Sequence, residues 1–205
     1  MTCLSGPSSA DGREVALLGG GFDPITSAHE EMAKLVHTGT NYPVWVMPCF
    51  RHRFGKELAS PKHRFHMVDL VAHQYRSWMH AFDFEIVRHH DGSMYETIRL
   101  LQVQYPKTKF HIVIGTDNAN KIQEWDRGEI LIAEVPFIVV GRKGKEATCD
   151  WFRSPPHCYL ELDYQMSATD IREAIETGRY DWVAMNLNYE VWGYIQDQGL
   201  YGYKG

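Results

Sequence analysis

The chain has 205 residues, of which 44% are hydrophobic, and its formal net charge is −5 at pH 7. This composition excludes a disordered chain and is sufficient for one compact domain with a full core. The acidic balance argues against binding to nucleic acid polymers, because that usually requires a basic surface.

The N-terminal segment and the cysteines bear on location. Residues 1–13 are polar and lack the apolar core of a signal peptide, so we predict a flexible leader there and a single domain over 14–205. No apolar run approaches the roughly 20 residues that a membrane span needs. The four cysteines lack Cys-x-x-Cys spacing, and reduced thiols are the simplest interpretation. We therefore expect a cytoplasmic protein that does not enter a membrane.

Short apolar segments alternate with helical patterns along the chain. Helices are predicted between the strands and again from Ser167 onward, where two or three are broken near Gly178 and Gly199. The pattern is typical of α/β proteins, and we predict a doubly wound parallel sheet with helices on both faces and a helical C-terminal portion. The predicted strands are 15–18, 44–47, 84–87, 110–114, 136–140 and 159–162, and the first helices are 26–36, 61–75 and 94–103.

A glycine-rich turn, residues 19–21, follows the first predicted strand. Such turns lie at the carboxyl end of the sheet, where the backbone can approach a phosphate closely. The spacing fits neither the dinucleotide fingerprint nor a P-loop. Thr26 and His29 lie three residues apart at the next helix start, so both could reach a phosphate on the helix end. The alternative is an ordinary helix cap followed by a surface histidine.

A second helix start is predicted at Met-Ser-Ala-Thr-Asp-Ile-Arg, residues 166–172. Ser167 is a natural N-cap, and Asp170 three residues later completes a capping box. The same segment also offers an anion the hydroxyls of Ser167 and Thr169 and the guanidinium of Arg172. It is therefore a candidate phosphate site as well as a cap.

Together the two segments resemble the motifs of the nucleotidyltransferase superfamily with HxGH-type motifs, and above all the nicotinate or nicotinamide mononucleotide adenylyltransferases. The resemblance runs from about residue 15 to residue 201. It implies a Rossmann-like fold and transfer of AMP from ATP to a pyridine mononucleotide in NAD biosynthesis. It also implies that Thr26 and His29 bind ATP phosphates, with His29 stabilising the transition state. Ser167, Thr169 and Arg172 would hold the β- and γ-phosphates.

The resemblance also suggests further ligand contacts. Trp125 would stack on the pyridine ring, and Tyr95 and Thr97 would lie near its carboxyl or amide group. Arg53 or Lys56, in a basic loop that could equally be a solvated charged loop, would bind the substrate phosphate. The remaining positions expected to contact ATP are Gly20, Gly21, Phe22, Asp23, Gly115, Asp117 and Arg142.

The eleven histidines raise the question of a metal site. H-E-x-x-H spacing is absent, and adjacent His89 and His90 would point to opposite sides of a strand. We predict no protein-bound metal and expect Mg²⁺ to arrive with ATP. The expected partners are ATP and a pyridine mononucleotide, and whether the chain forms a homo-oligomer is left open.

Three questions stay open at this level. Thr26 and Ala28 depart from the bacterial nicotinate pattern, and the sequence does not decide between nicotinate and nicotinamide mononucleotide. Phe-Asp-Pro-Ile-Thr, residues 22–26, also occurs in pantetheine-phosphate adenylyltransferases, the nearest rival. The third alternative is a catalytically silent nucleotide-binding module on the same fold.

Overall fold

The computed structural model describes residues 13–51, 55, 57–90, 93–142, 146–163 and 166–205. Within these ranges six strands form one sheet in the order β3-β2-β1-β4-β5-β6, and every neighbouring pair is parallel. The leader predicted over residues 1–13 lies, apart from Arg13, outside the described residues. The strands are β1 (Glu14–Gly20), β2 (Val44–Pro48), β3 (Met79–Ala81), β4 (Lys109–Gly115), β5 (Phe137–Arg142) and β6 (Cys158–Leu162).

Helices cover both faces of the sheet, as predicted. Ala16 and Leu18 of β1 belong to one buried cluster, whereas Val15 and Leu17 belong to the other. This alternation follows from the two-residue period of a strand. The helices are α1 (Ser27–Thr40), α2 (Pro61–Gln74), α3 (Phe84–Arg88), α4 (Met94–Gln104), α5 (Thr116–Ala119), α6 (Gly128–Glu134), α7 (Ala168–Glu176), α8 (Tyr180–Asn186) and α9 (Tyr189–Asp197).

The predicted strand at 84–87 is wrong, since these residues lie in the short helix α3. The edge strand comes earlier, at β3, and the Phe82 N–H continues its pairing by donating to the Val46 carbonyl at 2.9 Å. The free edge of β2 is therefore already hydrogen-bonded to residues 79–82, which precede Phe84. A segment of four residues such as Phe-Glu-Ile-Val is too short to distinguish a strand from a buried helical turn.

The sheet reverses its strand order between β1 and β4. From β1 the chain runs outward through β2 and β3, then returns to the other side for β4, β5 and β6. The crevice outside the carboxyl ends of such strands is where open α/β sheets bind ligands. The turn after β1 and the start of α5 after β4 therefore border the expected site.

A polar cluster lies at the opposite edge, where the strands begin. The Glu14 carboxylate accepts a hydrogen bond from Lys109 Nζ at 2.9 Å and lies 3.3 Å from His111 Nε2. Hydrogen bonds from Tyr42 and Lys109 lower the pKa of Glu14 to about 2. These groups join β1 to β4 at the edge remote from the glycine turn.

Two further observations concern the helices and the cysteines. In the part of the chain that the structure describes, no helix is long and apolar enough to cross a membrane. Among the described residues, Cys49, Cys149 and Cys158 are free cysteines.

Candidate active site

The imidazole of His29 is held in one orientation at the start of α1. Thr26 is the N-cap of this helix, and its main-chain N–H donates to His29 Nδ1 at 3.1 Å. The Thr26 hydroxyl lies 2.9 Å from the same nitrogen. Because Nδ1 accepts a hydrogen bond from the amide, the proton of the neutral ring resides on Nε2. His29 is therefore prepared to donate a hydrogen bond from Nε2.

Phe22 and Thr26 support this histidine from the protein interior. The Phe22 ring meets the imidazole edge-on, with 5.1 Å between ring centroids, and its backbone adopts a left-handed conformation with φ 47°. Both side chains are buried. Both residues were predicted to contact ATP, and in the structure both side chains lie against the imidazole of His29.

Asp23 and Arg172 bring the two motifs together across 149 residues of sequence. Arg172 Nη1 donates to the main-chain carbonyl of Asp23 at 2.6 Å. The Asp23 carboxylate is buried, and its Oδ1 accepts hydrogen bonds from the Ala59 N–H at 3.0 Å and the Tyr201 hydroxyl at 2.8 Å. Asp23 therefore joins the first motif to the second motif and to the C-terminal segment.

The start of α7 has the predicted capping box. Ser167 Oγ accepts from the Asp170 N–H at 3.2 Å, and the Asp170 carboxylate accepts from the Ser167 N–H at 2.9 Å. Arg172 Nη2 donates to Thr169 Oγ1 at 3.1 Å. Ser167 and Thr169 are exposed, so the hydroxyls, the helix start and the guanidinium form one surface that an anion can reach.

Arg64 is a fully buried guanidinium at the start of α2, with 1% of its surface exposed. It connects the glycine turn, the loop after β2 and the residues before α2, because its nitrogens donate at 2.7–3.1 Å to the carbonyls of all three. The sequence alone did not predict this burial. The acceptors are Gly21, Cys49, Phe50 and Ala59.

A cavity of about 420 Å³ opens beside this guanidinium. Phe50, Arg51 and Leu58 contribute to its lining together with Arg64, and Arg51 is exposed. The cavity lies in the basic loop from which a substrate-phosphate contact was predicted. The two candidates for that contact, Arg53 and Lys56, lie outside the described residues.

Thr97 lies in the interior. It is fully buried, and its hydroxyl donates to Glu85 Oε1 at 3.1 Å. Burial raises the pKa of Glu85 to about 7, and the hydrogen bond from Thr97 offsets only part of this effect. Thr97 therefore satisfies a buried carboxyl group, and its side chain is not exposed.

Tyr95 and Trp125 belong to two segments that are tied together. Ser93, the N-cap of α4, donates its hydroxyl to the Asp126 carboxylate at 2.7 Å. The guanidinium of Arg127 lies 4.7 Å from the centre of the Tyr95 ring. Trp125 is half-buried against the same core cluster as Tyr95. The hydrogen bond from Ser93 to Asp126 therefore brings the start of α4 and the segment of Trp125 together.

The other predicted nucleotide contacts follow their strands as expected. Gly20 and Gly115 end β1 and β4, and Asp117 is exposed in the first turn of α5. Arg142 ends β5, and the structure describes its backbone alone. Among the described residues, no group of three His, Cys, Asp or Glu side chains is placed to hold a metal ion.

Comparison with known proteins places this geometry in a family. The sequence model of the cytidylyltransferase-like family matches residues 17–174, more than half of the chain. A protein of Anaeromyxobacter dehalogenans named "Probable nicotinate-nucleotide adenylyltransferase" is 32% identical over 195 residues, which cover 93% of this chain and 97% of that relative. This chain belongs to the nicotinate-nucleotide adenylyltransferase family.

Further relatives agree with the assignment to this adenylyltransferase family. A Myxococcus xanthus protein of the same name is 28% identical and covers 93% of the chain and 96% of its own length. The solved Plasmodium falciparum nicotinic acid mononucleotide adenylyltransferase, complexed with NaAD, has a TM-score of 0.82 at 21% identity. The match covers 94% of this chain and 98% of that one. The predicted Rossmann-like fold and the predicted nucleotidyltransferase family are confirmed.

Proposed function

We propose that this chain transfers AMP from ATP to the 5′-phosphate of nicotinate mononucleotide and releases pyrophosphate. The observation that carries the proposal is the 2.6 Å hydrogen bond from Arg172 to the Asp23 carbonyl. It places the second anion motif against the first, so one triphosphate can reach both helix starts. The family of relatives with this activity in their names supports the same choice.

The proposed reaction is an in-line attack of the mononucleotide phosphate on the α-phosphorus of ATP. The bond from the α-phosphorus to the pyrophosphate oxygen breaks as the new phosphoanhydride bond forms, without a covalent enzyme intermediate. The protein contributes positioning and charge neutralisation. His29 donates its Nε2 proton in a hydrogen bond to the reacting phosphoryl group, and Arg172, Ser167 and Thr169 hold the leaving phosphates. ATP enters as its Mg²⁺ complex.

The acceptor side would lie on the wall formed by Tyr95 and Trp125. Trp125 supplies an aromatic surface on which a pyridine ring can stack. Arg127, over Tyr95, adds positive charge next to this wall, which suits the carboxylate of nicotinate better than an amide. For the substrate phosphate we retain the basic loop, with Arg53 or Lys56 as its ligand.

Two other functions give different outcomes in the same assay. Phosphopantetheine as the preferred acceptor would identify a pantetheine-phosphate adenylyltransferase, and silence with every acceptor would identify a nucleotide-binding module. The assay measures pyrophosphate release from ATP and Mg²⁺ with nicotinate mononucleotide, nicotinamide mononucleotide or phosphopantetheine. We expect the highest kcat/KM with nicotinate mononucleotide. A higher value with either other acceptor would refute the proposed substrate.

A further inference from the structure

Tyr201 reaches from the C-terminal segment into the candidate active site. Its hydroxyl donates to Asp23 Oδ1 at 2.8 Å, 178 residues away in sequence. Its backbone lies in the left-handed region, with φ 56° and ψ 30°. A non-glycine residue in this conformation is strained and needs surrounding contacts to hold it there. Burial raises the pKa of the Tyr201 hydroxyl, which keeps it a proton donor.

The two oxygens of Asp23 have different surroundings. Oδ1 receives hydrogen bonds from the Ala59 N–H and the Tyr201 hydroxyl. Oδ2 lies 3.8 Å from Arg172 Nη1, which donates to the Asp23 main-chain carbonyl instead. The carboxylate and the guanidinium are thus near neighbours without a short hydrogen bond between them. A small rotation of the carboxylate would close that gap and form a charge-assisted pair.

We propose that Tyr201 is a positioning residue for ATP: it holds the Asp23 carboxylate so that Arg172 stays available to phosphate. The inference rests on the proposed role of Arg172 as a triphosphate ligand. Without the tyrosine hydroxyl, Oδ1 loses one of its two donors and the carboxylate turns toward Arg172. The guanidinium is then neutralised by the protein before ATP arrives, and it binds the phosphates less tightly.

The test is Tyr201→Phe, which removes the hydroxyl and keeps the ring. We expect the Kd of Mg²⁺–ATP, measured by calorimetry without acceptor, to rise about 10-fold, the lower end for a hydrogen bond to a charged group. The KM of the mononucleotide should change less than about 2-fold, because that substrate does not meet Arg172.

Tyr203→Phe is the matched control. Tyr203 lies in the same segment, but its hydroxyl accepts a hydrogen bond from Gln196 Nε2 at 3.0 Å, away from Asp23. The Tyr203→Phe variant also loses one tyrosine hydroxyl, so its affinity for ATP should stay at the wild-type value. An equal loss of ATP affinity in both variants would reduce Tyr201 to general support of the segment and overturn the proposal.

A double variant shows whether the tyrosine acts through the carboxylate. Asp23→Asn keeps an oxygen acceptor but removes the charge that would capture Arg172. In that background Tyr201→Phe should have no further effect on ATP affinity, so the two changes are not additive. Full additivity, or unchanged affinity in the single variant, refutes the inference. If Tyr201→Phe weakens ATP binding as expected but the wild-type protein accepts no mononucleotide, the proposed function is refuted and the role of Tyr201 in ATP binding is not.

Discussion

Two substitutions of His29 separate its catalytic role from its structural one. His29→Ala removes both the acceptor for the Thr26 N–H and the Nε2 donor. His29→Asn keeps an acceptor near the Nδ1 position but does not reach the phosphate. The structure therefore predicts that the two variants share a loss of turnover and differ in stability.

The expected sizes follow from the contacts. The hydrogen bond that the Thr26 main-chain N–H donates to His29 Nδ1 at the helix N-terminus contributes about 1 kcal/mol to stability. The edge-on contact with Phe22 contributes about 0.5–1.5 kcal/mol. His29→Ala loses both and should be destabilised by about 2 kcal/mol, whereas His29→Asn should lose about 1 kcal/mol. Both lose the donor to the reacting phosphoryl group, so kcat should fall about 100- to 1,000-fold.

Stopped or continuous pyrophosphate assays at saturating ATP and mononucleotide give kcat, and urea unfolding gives stability. A His29→Asn enzyme within about 3-fold of wild-type kcat would refute the donor role. A rise in KM alone would also count against it, because it would show that the histidine binds the ground state as strongly as the transition state.

Three further predictions concern the surroundings of the site. Arg64→Met should lower the free energy of unfolding by about 3–5 kcal/mol, because the four main-chain carbonyls that accept hydrogen bonds from this buried guanidinium would lose their donor. A decrease of less than about 1 kcal/mol in urea unfolding would contradict this prediction. The pKa of Glu85, raised to about 7, means that the folded state holds an extra proton above the ordinary pKa of 4.5. The contribution of Glu85 to stability therefore falls as the pH rises from about 4.5 to 7. Relative to wild type, the free energy of unfolding of Glu85→Gln should increase by about 2–3 kcal/mol between pH 5 and pH 8. If urea unfolding gives the same difference between variant and wild type at both pH values, the raised pKa of Glu85 is excluded. Gly128→Ala would place a Cβ in steric conflict with the Ile122 carbonyl oxygen, so the protein should unfold at a lower temperature. An unchanged Tm in a thermal unfolding experiment would contradict this, because it would show that the turn can move to relieve the conflict.

Local signals in the sequence were sufficient for most of the fold. The central strands are continuous apolar runs, and the capping box from Ser167 to Asp170 is a pattern of four residues. Both depend on neighbours in the chain and can be read without knowledge of the fold. The short edge strand β3 has no such signal, since Met-His-Ala is neither alternating nor rich in β-branched residues.

The missed parts of the site depend on contacts between distant residues. Arg64 has the sequence appearance of a solvated helix residue, and its acceptors are main-chain carbonyls, which leave no side-chain pattern. The link from Tyr201 to Asp23 spans almost the whole chain. The contact of Thr97 with the pyridine substituent was expected from the resemblance alone, and the sequence gives no sign that its hydroxyl donates to the buried carboxyl group of Glu85.

The cluster around Glu14 has a consequence for how stability and catalysis are distributed over the sheet. Lys109 and His111 meet Glu14 at the edge where strands begin, and the groups proposed to meet nucleotides stand where strands end. We expect substitutions in the Glu14 cluster to change stability and to leave turnover near the wild-type value. The two ends of the strands in this sheet therefore differ in role: the Glu14 cluster supports the pairing of β1 with β4, and the opposite end carries the groups proposed to meet nucleotides.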